Sequence, residues 1–245
     1  MRLSCLLRCF LRSYLVCAAS NPYGLQNVGF TYAMQPGLEA IHQNQEARRE
    51  ATGRYVERFN CHPFFAPLLM GILLRAEADA AKNPACQPVP QALRTTAANT
   101  LSALGDVCIS GGGAATWVLV TALLLFAGQA TLALGLLVCV FLLAQCARGA
   151  GFFLGWKMGV AVLAAIARWH PMHVAVAIKY CNALLLAFFL FCAMPSLHWW
   201  QMTAVVICLF ASVWLGERLH VPRWLLVGWN FAWFLLLYLY TIPVA

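Results

Sequence analysis

The sequence predicts an all-α integral membrane protein: several transmembrane helices, one short re-entrant-like apolar segment, and an N-terminal amphipathic and cytoplasmic helical region. Three observations predict it. Of 245 residues, 62% are hydrophobic and only 10% are charged, against roughly 25% charged in a soluble domain. Two long intervals carry no formal charge, one between Asp106 and Arg148 and one from Tyr180 to Gly216. Residues 1–60 instead interleave charge with apolar positions. A soluble chain would need a charged surface, whereas lipid tails accept Leu, Val and Phe on the outside. The expected division is an interfacial and cytoplasmic region, 1–60, and a membrane-embedded domain, 61–245.

Met1–Ala19 starts like a secretory leader, with Arg2 ahead of apolar residues, but Arg8 and Arg12 interrupt the apolar core that such a leader needs. The pattern suits an amphipathic helix in the interface, its basic residues toward the headgroups. Asn21-Pro22-Tyr23-Gly24 turns the chain. From Leu38 to Phe59 charge dominates. Helical phase puts Glu46, Arg48, Arg49, Glu50, Arg54, Glu57 and Arg58 mostly on exposed, cytoplasmic faces, and lets Ile41, Tyr55, Val56 and Phe59 pack inward.

His62–Leu74 is apolar but too short to span, and holds Pro63 and Pro67; a re-entrant or buried segment fits it. Pro84, Pro88 and Pro90 mark a loop over Lys82–Pro90. The Asp106–Arg148 interval is about twice the roughly 20 residues one spanning helix needs. Gly128-Gln129 near its middle is the expected turn. Gly111-Gly112-Gly113 lacks the Lys-Ser/Thr of a phosphate loop and reads as a flexible break or close helix contact. Gly151, Gly155 and Gly159 form a ridge along one helix, where another helix, including a partner's, can approach closely. Lys157 beside it either snorkels to the interface or lines a polar cavity. Met194-Pro195-Ser196-Leu197-His198 is a tight connection between two helices. A final span runs from Arg223 to about Ile242.

Net charge is +8, yet the basic residues sit between apolar runs without the aromatic platform of a single-strand binder. Positive cytoplasmic loops account for them, and nucleic acid is excluded as a partner. Eleven cysteines show neither C-x-x-C spacing nor a zinc-type cluster. Cys108, Cys139, Cys181, Cys192 and Cys208 fall in apolar runs and read as small hydrophobes. No metal site and no cofactor are expected. His170, His173, His198 and His220 are dispersed, and no Ser-His-Asp order, H-E-x-x-H or P-loop is present, so no catalytic residue is assigned.

Several segments, in order, carry a resemblance. They are Leu11-Arg12-Ser13 followed by Gln26-Asn27-Val28-Gly29-Phe30 and Ala33-Met34-Gln35-Pro36; Arg58-Phe59-Asn60-Cys61-His62-Pro63-Phe64-Phe65-Ala66-Pro67, continuing through Gly71-Ile72 to Glu77; Leu104-Gly105-Asp106; Arg148 with its glycine ridge; and Val221-Pro222-Arg223-Trp224 leading into Leu226-Val227-Gly228. Together they resemble the IID subunit of mannose-class sugar phosphotransferase permeases. The resemblance implies a multi-pass protein of the bacterial inner membrane that forms a hetero-oligomer with a IIC subunit. Together they would carry a hexose or amino sugar by an elevator-like movement. The IIB protein, charged through IIA, phosphorylates the sugar, so the IID subunit is a non-catalytic component that completes the path and offers IIB a docking surface. The chain departs from the family pattern at Val107–Thr116, where an aromatic run ending in arginine-proline is missing, and in a shorter, more apolar section between Trp169 and Gly216. Those departures carry the alternative, a diverged IID-like membrane scaffold with a regulatory role and no transport.

Sugar hydroxyls need partners that donate and accept hydrogen bonds, and polar residues in membrane segments are expensive unless used or paired. Asn60, His62, Glu77 and Asp106 are therefore the candidate substrate-binding residues. Each has a structural reading beside it. Asn60 can cap the short segment, His62 can be a satisfied buried imidazole, and Asp106 can cap its helix or pair with Arg148.

Overall fold

The computed structural model describes residues 1–83, 91–193 and 198–241. Pro84, Pro88 and Pro90 of the expected loop, Met194–Leu197 of the expected connection, and Ile242 lie outside the described residues. Every named element is helical: α1 (Leu3–Arg12), α2 (Asn27–Ile41), α3 (Gln45–Val56), α4 (Ala66–Lys82), α5 (Gln91–Gly105), α6 (Ala114–Phe126), α7 (Ala130–Met158), α8 (Ala161–Ala167), α9 (Pro171–Ala193), α10 (Trp199–Arg218) and α11 (Arg223–Thr241). A 3-10 turn covers Ser13–Leu15, and a π-helical stretch, Asp106–Gly113, joins α5 to α6. Among the described residues four helices are long and apolar enough to cross a membrane, over Arg94–Phe126, Ala130–Met158, Pro171–Ala193 and Trp199–Arg218. The chain forms two compact units, Met1–Ile109 with Phe141–Pro171, and Ser110–Val140 with Met172–Ala245.

In the first unit the core gathers around α4. Leu69, Met70, Ile72, Leu73 and Leu74 are buried there, with Phe30, Met34 and Leu38 from α2 and Phe152 from α7. The short apolar segment is thus a buried helix, and it continues to Lys82 because half of Arg75–Lys82 is Ala, the strongest helix former. Pro67 sits at the start of α4, where its missing N–H leaves no bond unmade. The helix α1 buries Leu6 and Cys9 but exposes Leu3, Leu7 and Leu11. Arg12 stacks 4.3 Å over the Tyr32 ring. The charged stretch after Leu38 divides at His42, and Asn44 caps α3 by accepting from the Glu46 amide at 3.0 Å. Tyr55 and Phe59 are buried as expected, but Val56 is exposed, at the last position of α3.

At the crossing of α4 and α7 a Cβ on Gly71 would collide with the Phe152 carbonyl and stand 2.8 Å from the Trp156 amide nitrogen. A Cβ on Gly155 would collide with the Leu68 carbonyl and stand 3.0 Å from the Ile72 nitrogen. The helix that approaches Gly155 is therefore α4 of the same chain. Gly151 meets Leu68 Cβ only at an ordinary 3.5 Å. Gly159 lies beyond the end of α7 with φ +58°, and its N–H donates to the Gly155 carbonyl at 2.8 Å, which closes the helix with a left-handed residue. Lys157 is exposed in the last turn of α7, where a cation faces the negative end of the helix dipole.

The second unit is apolar and thinly buried, as a lipid-facing assembly requires. Gly128, at φ +72°, separates α6 from α7 at the expected turn. Polar side chains tie the helices together. Lys179 of α9 forms an ion pair with Glu217 of α10, and Asn230 of α11 donates to Ser212 Oγ of α10 at 2.7 Å. Asn182 of α9 donates to the Gly112 carbonyl at 3.0 Å and accepts from Thr116 at 2.7 Å. That contact satisfies a carbonyl of the π-helical stretch. Lys179 and Glu217 are the two charges that bound the apolar interval from Tyr180 to Gly216. Lys179→Met alone should lower membrane abundance several-fold by leaving Glu217 unpaired, while the double variant Lys179→Met/Glu217→Leu recovers most of it. A double-mutant cycle on thermal stability checks this; additive losses would show that the pair carries no coupling.

Candidate functional site

A short extended segment, Arg58–His62, sets out the polar residues of the first unit. It is pinned by the Gln26 N–H donating to the Phe59 carbonyl at 2.9 Å, the Phe59 N–H donating to the Gly24 carbonyl at 3.1 Å, and the Cys61 N–H donating to Gln26 Oε1 at 3.0 Å. Successive side chains of extended backbone point to opposite sides. Phe59 and Cys61 are accordingly buried, with Phe59 stacked on Phe30 at 3.9 Å, while Arg58 and Asn60 are exposed. Burial, followed by the negative charge of Asp106, pushes the Cys61 thiol up to about 12, so it stays protonated and unreactive at neutral pH.

His62 ends the segment half-buried, its ring lying against the backbone of Gly105, where any side chain would collide with it. The Phe64 N–H donates to His62 Nδ1 at 3.2 Å, which leaves Nε2 as the protonated nitrogen of the neutral ring. Burial holds the His62 pKa below its ordinary value; Asp106 opposes the shift and Arg148 adds to it. The imidazole is therefore neutral at pH 7, and it feels both the exposed carboxylate at the start of the π-helical stretch and the guanidinium on α7.

Arg148 is held from its other side. Its guanidinium lies 4.2 Å over the Tyr14 ring, and the Tyr14 hydroxyl donates to Gln145 Oε1 at 2.7 Å. Its Nε is buried without a hydrogen-bond partner among the described residues, an unusual condition for a cationic donor. Tyr14 and Gln145 were not among the residues expected from the sequence. The available signal was the pair Gln145 and Arg148, polar at i, i+3 where the charge-free run ends.

Glu77 lies in a different cluster and is 2% exposed. Its Oε1 accepts from Arg54 Nε at 3.2 Å and from the Tyr55 hydroxyl at 2.8 Å, and its Oε2 accepts from Arg54 at 2.7 Å. His42 Nε2 is 3.2 Å from Oε2. Burial and the neighbouring carboxylate raise the Tyr55 pKa well above its usual value, so the phenol remains a donor. Both carboxylate oxygens are taken by protein groups, and the cluster joins α3 and α4 to the end of α2. His62 thus lies within the electrostatic reach of both Asp106 and Arg148, Asn60 is set on the opposite side of the segment from the buried Cys61, and Glu77 is enclosed elsewhere. Among the described residues no group of His, Cys, Asp and Glu is placed to hold a metal ion.

A profile of the PTS system mannose/fructose/sorbose family IID component matches residues 3–184. The mannose-specific EIID component of Escherichia coli (strain K12) is 36% identical over 75 residues, which is 30% of this chain and 26% of that protein. The fructose permease IID component of Bacillus subtilis (strain 168) is 30% identical over 74 residues, 30% of this chain and 27% of that protein. The chain thus spans about a quarter of the length of the curated relatives it matches. Two solved structures share its fold. One, described as a membrane protein, has a TM-score of 0.66 at 20% identity over 93% of both chains. The other belongs to the cryo-EM structure of the mannose transporter ManYZ with microcin E492, with a TM-score of 0.58 at 20% identity, again over 93% of both.

Proposed function

The chain belongs to the IID component family of mannose/fructose/sorbose phosphotransferase systems, and on that footing we propose that it is the membrane subunit of a sugar permease. It acts with a IIC subunit in the bacterial inner membrane, in hexose or amino-sugar uptake coupled to phosphorylation by IIB, which IIA recharges. The match over residues 3–184 carries this reading, and the polar cluster supports it.

Asp106 and His62 are the residues assigned to the sugar. A carboxylate accepts from hydroxyls, a neutral imidazole with Nε2 protonated donates, and the Arg148 guanidinium, whose charge reaches His62, is a further donor. That set exchanges the hydration of a polyol for protein hydrogen bonds. Asn60 stands second to these two. Glu77 is left out, because its oxygens are occupied. No covalent step falls on this chain, since the phosphoryl group passes from IIB to the sugar.

The test is uptake and phosphorylation of labelled mannose, glucosamine and fructose in cells that co-express the chain with its IIC neighbour and the soluble phosphocarriers. Uptake that disappears without the chain supports the role. No uptake with the complex demonstrably present overturns it. Asp106→Asn should lower uptake about tenfold or more at unchanged membrane abundance; equal losses in both would make Asp106 a structural residue.

A further inference from the structure

On the outward side of the extended segment the first unit holds a cavity of about 460 Å³, lined in part by Arg58, Asn60, Arg94, Thr95 and Asn99 over a floor that includes Phe59. The local folding explains why these residues converge. Alternation along the extended segment turns Arg58 and Asn60 away from the core, and Arg94, Thr95 and Asn99 fall on neighbouring turns of one face of α5. Arg94 is 8% exposed. It forms an ion pair with Glu57 and lies 5.4 Å from the Tyr55 ring, so its charge is matched and its position fixed. Arg58 makes no ion pair with a described carboxylate, and no acidic residue lines the cavity. The Asn60 and Asn99 amides and the Thr95 hydroxyl form no hydrogen bond with another described residue. The cavity falls in the range of about 300–1,000 Å³ typical of small-molecule sites. It carries one unmatched guanidinium beside two amides and a hydroxyl, each able to donate and accept.

We propose that this cavity binds a hydroxyl-bearing phosphate ester. Arg58 takes the phosphoryl oxygens, for which a guanidinium fork is suited, and Asn60, Thr95 and Asn99 take the hydroxyls. The site differs from the His62–Asp106–Arg148 cluster in charge, since no carboxylate faces it, and it does not depend on the chain taking part in transport. A sugar phosphate in solution and the headgroup of phosphatidylglycerol both present this chemistry.

The experiment uses the full chain, purified with its membrane partner. Calorimetry follows glucose 6-phosphate, with glucose as the uncharged control, in phosphatidylcholine nanodiscs. Native mass spectrometry follows phosphatidylglycerol retained from mixed nanodiscs. Glucose 6-phosphate binding that weakens at least tenfold in Arg58→Gln and in Asn99→Asp, with glucose silent, assigns a soluble ester. Retained phosphatidylglycerol that Arg58→Gln releases, with glucose 6-phosphate silent, assigns the lipid. Both side chains are exposed, so the variants should keep the thermal stability of the parent. Absence of binding in both arms, or binding that Arg58→Gln and Asn99→Asp leave unchanged, overturns the proposal.

Discussion

Glu77→Leu is expected to abolish accumulation of the folded chain. The carboxylate is buried against Arg54, Tyr55 and His42, and leucine would leave the enclosed phenol without its acceptor and Arg54 with only the exposed Glu50. Breaking a buried pair by removing one partner costs about 3–5 kcal/mol, a large part of a stability of roughly 5–15 kcal/mol. Glu77→Gln should fall between, because the amide keeps one acceptor oxygen but turns an NH₂ toward Arg54. Tyr55→Phe should cost about 1.5–3 kcal/mol, one hydrogen bond to a charged carboxylate that keeps its other donors. Membrane abundance and the thermal midpoint in detergent measure all three. A Glu77→Leu chain at normal abundance and midpoint, with uptake alone lost, would return Glu77 to the substrate site.

Gly155→Leu and Gly71→Leu should each fail to fold, and should do so without any partner subunit present. Overpacking in cores costs typically about 1–3 kcal/mol when side chains can move aside. Here the atoms in the way are backbone atoms of the facing helix, which no rotamer change can clear, so α4 and α7 must separate. Gly151→Ala should be nearly silent, since its Cβ would meet only an ordinary contact. Gly135→Ala, at a position open to space, should be neutral or slightly stabilising through helix propensity. The readout is the monodisperse fraction of chain expressed alone. A Gly155→Leu chain that is well folded by itself and fails only to co-purify with IIC would place this contact at the subunit interface.

Features whose signal lies within a few residues were legible in the sequence. The Gly128-Gln129 break, the charged α3 and the long apolar helices follow from hydropathy, turn residues and charge spacing. The length of α4 was not, because apolar character stops near Leu74 while helix propensity runs on to Lys82. The setting of Glu77 was hidden for a different reason. Its partners lie 22 to 35 positions away in the chain, and a lone carboxylate gives no local sign of whether protein or ligand will meet it. The π-helical stretch after Gly105 was read only as a glycine-rich break, since a shift in hydrogen-bond register has no hydropathy period. The candidate site was half legible. His62 and Asp106 were singled out as polar residues in apolar surroundings, whereas Tyr14 and Gln145 meet beside Arg148 only once α7 is placed against the N-terminal turn.

The extended segment Arg58–His62 separates two kinds of inheritance. Its inward residues, Phe59 and Cys61, are bound to the core and tolerate little change. Its outward residues, Arg58 and Asn60, support no packing and can be exchanged without disturbing the backbone that carries them. Selection can therefore rewrite the outward surface of this subunit one residue at a time, along a strip whose conformation is guaranteed by the residues in between.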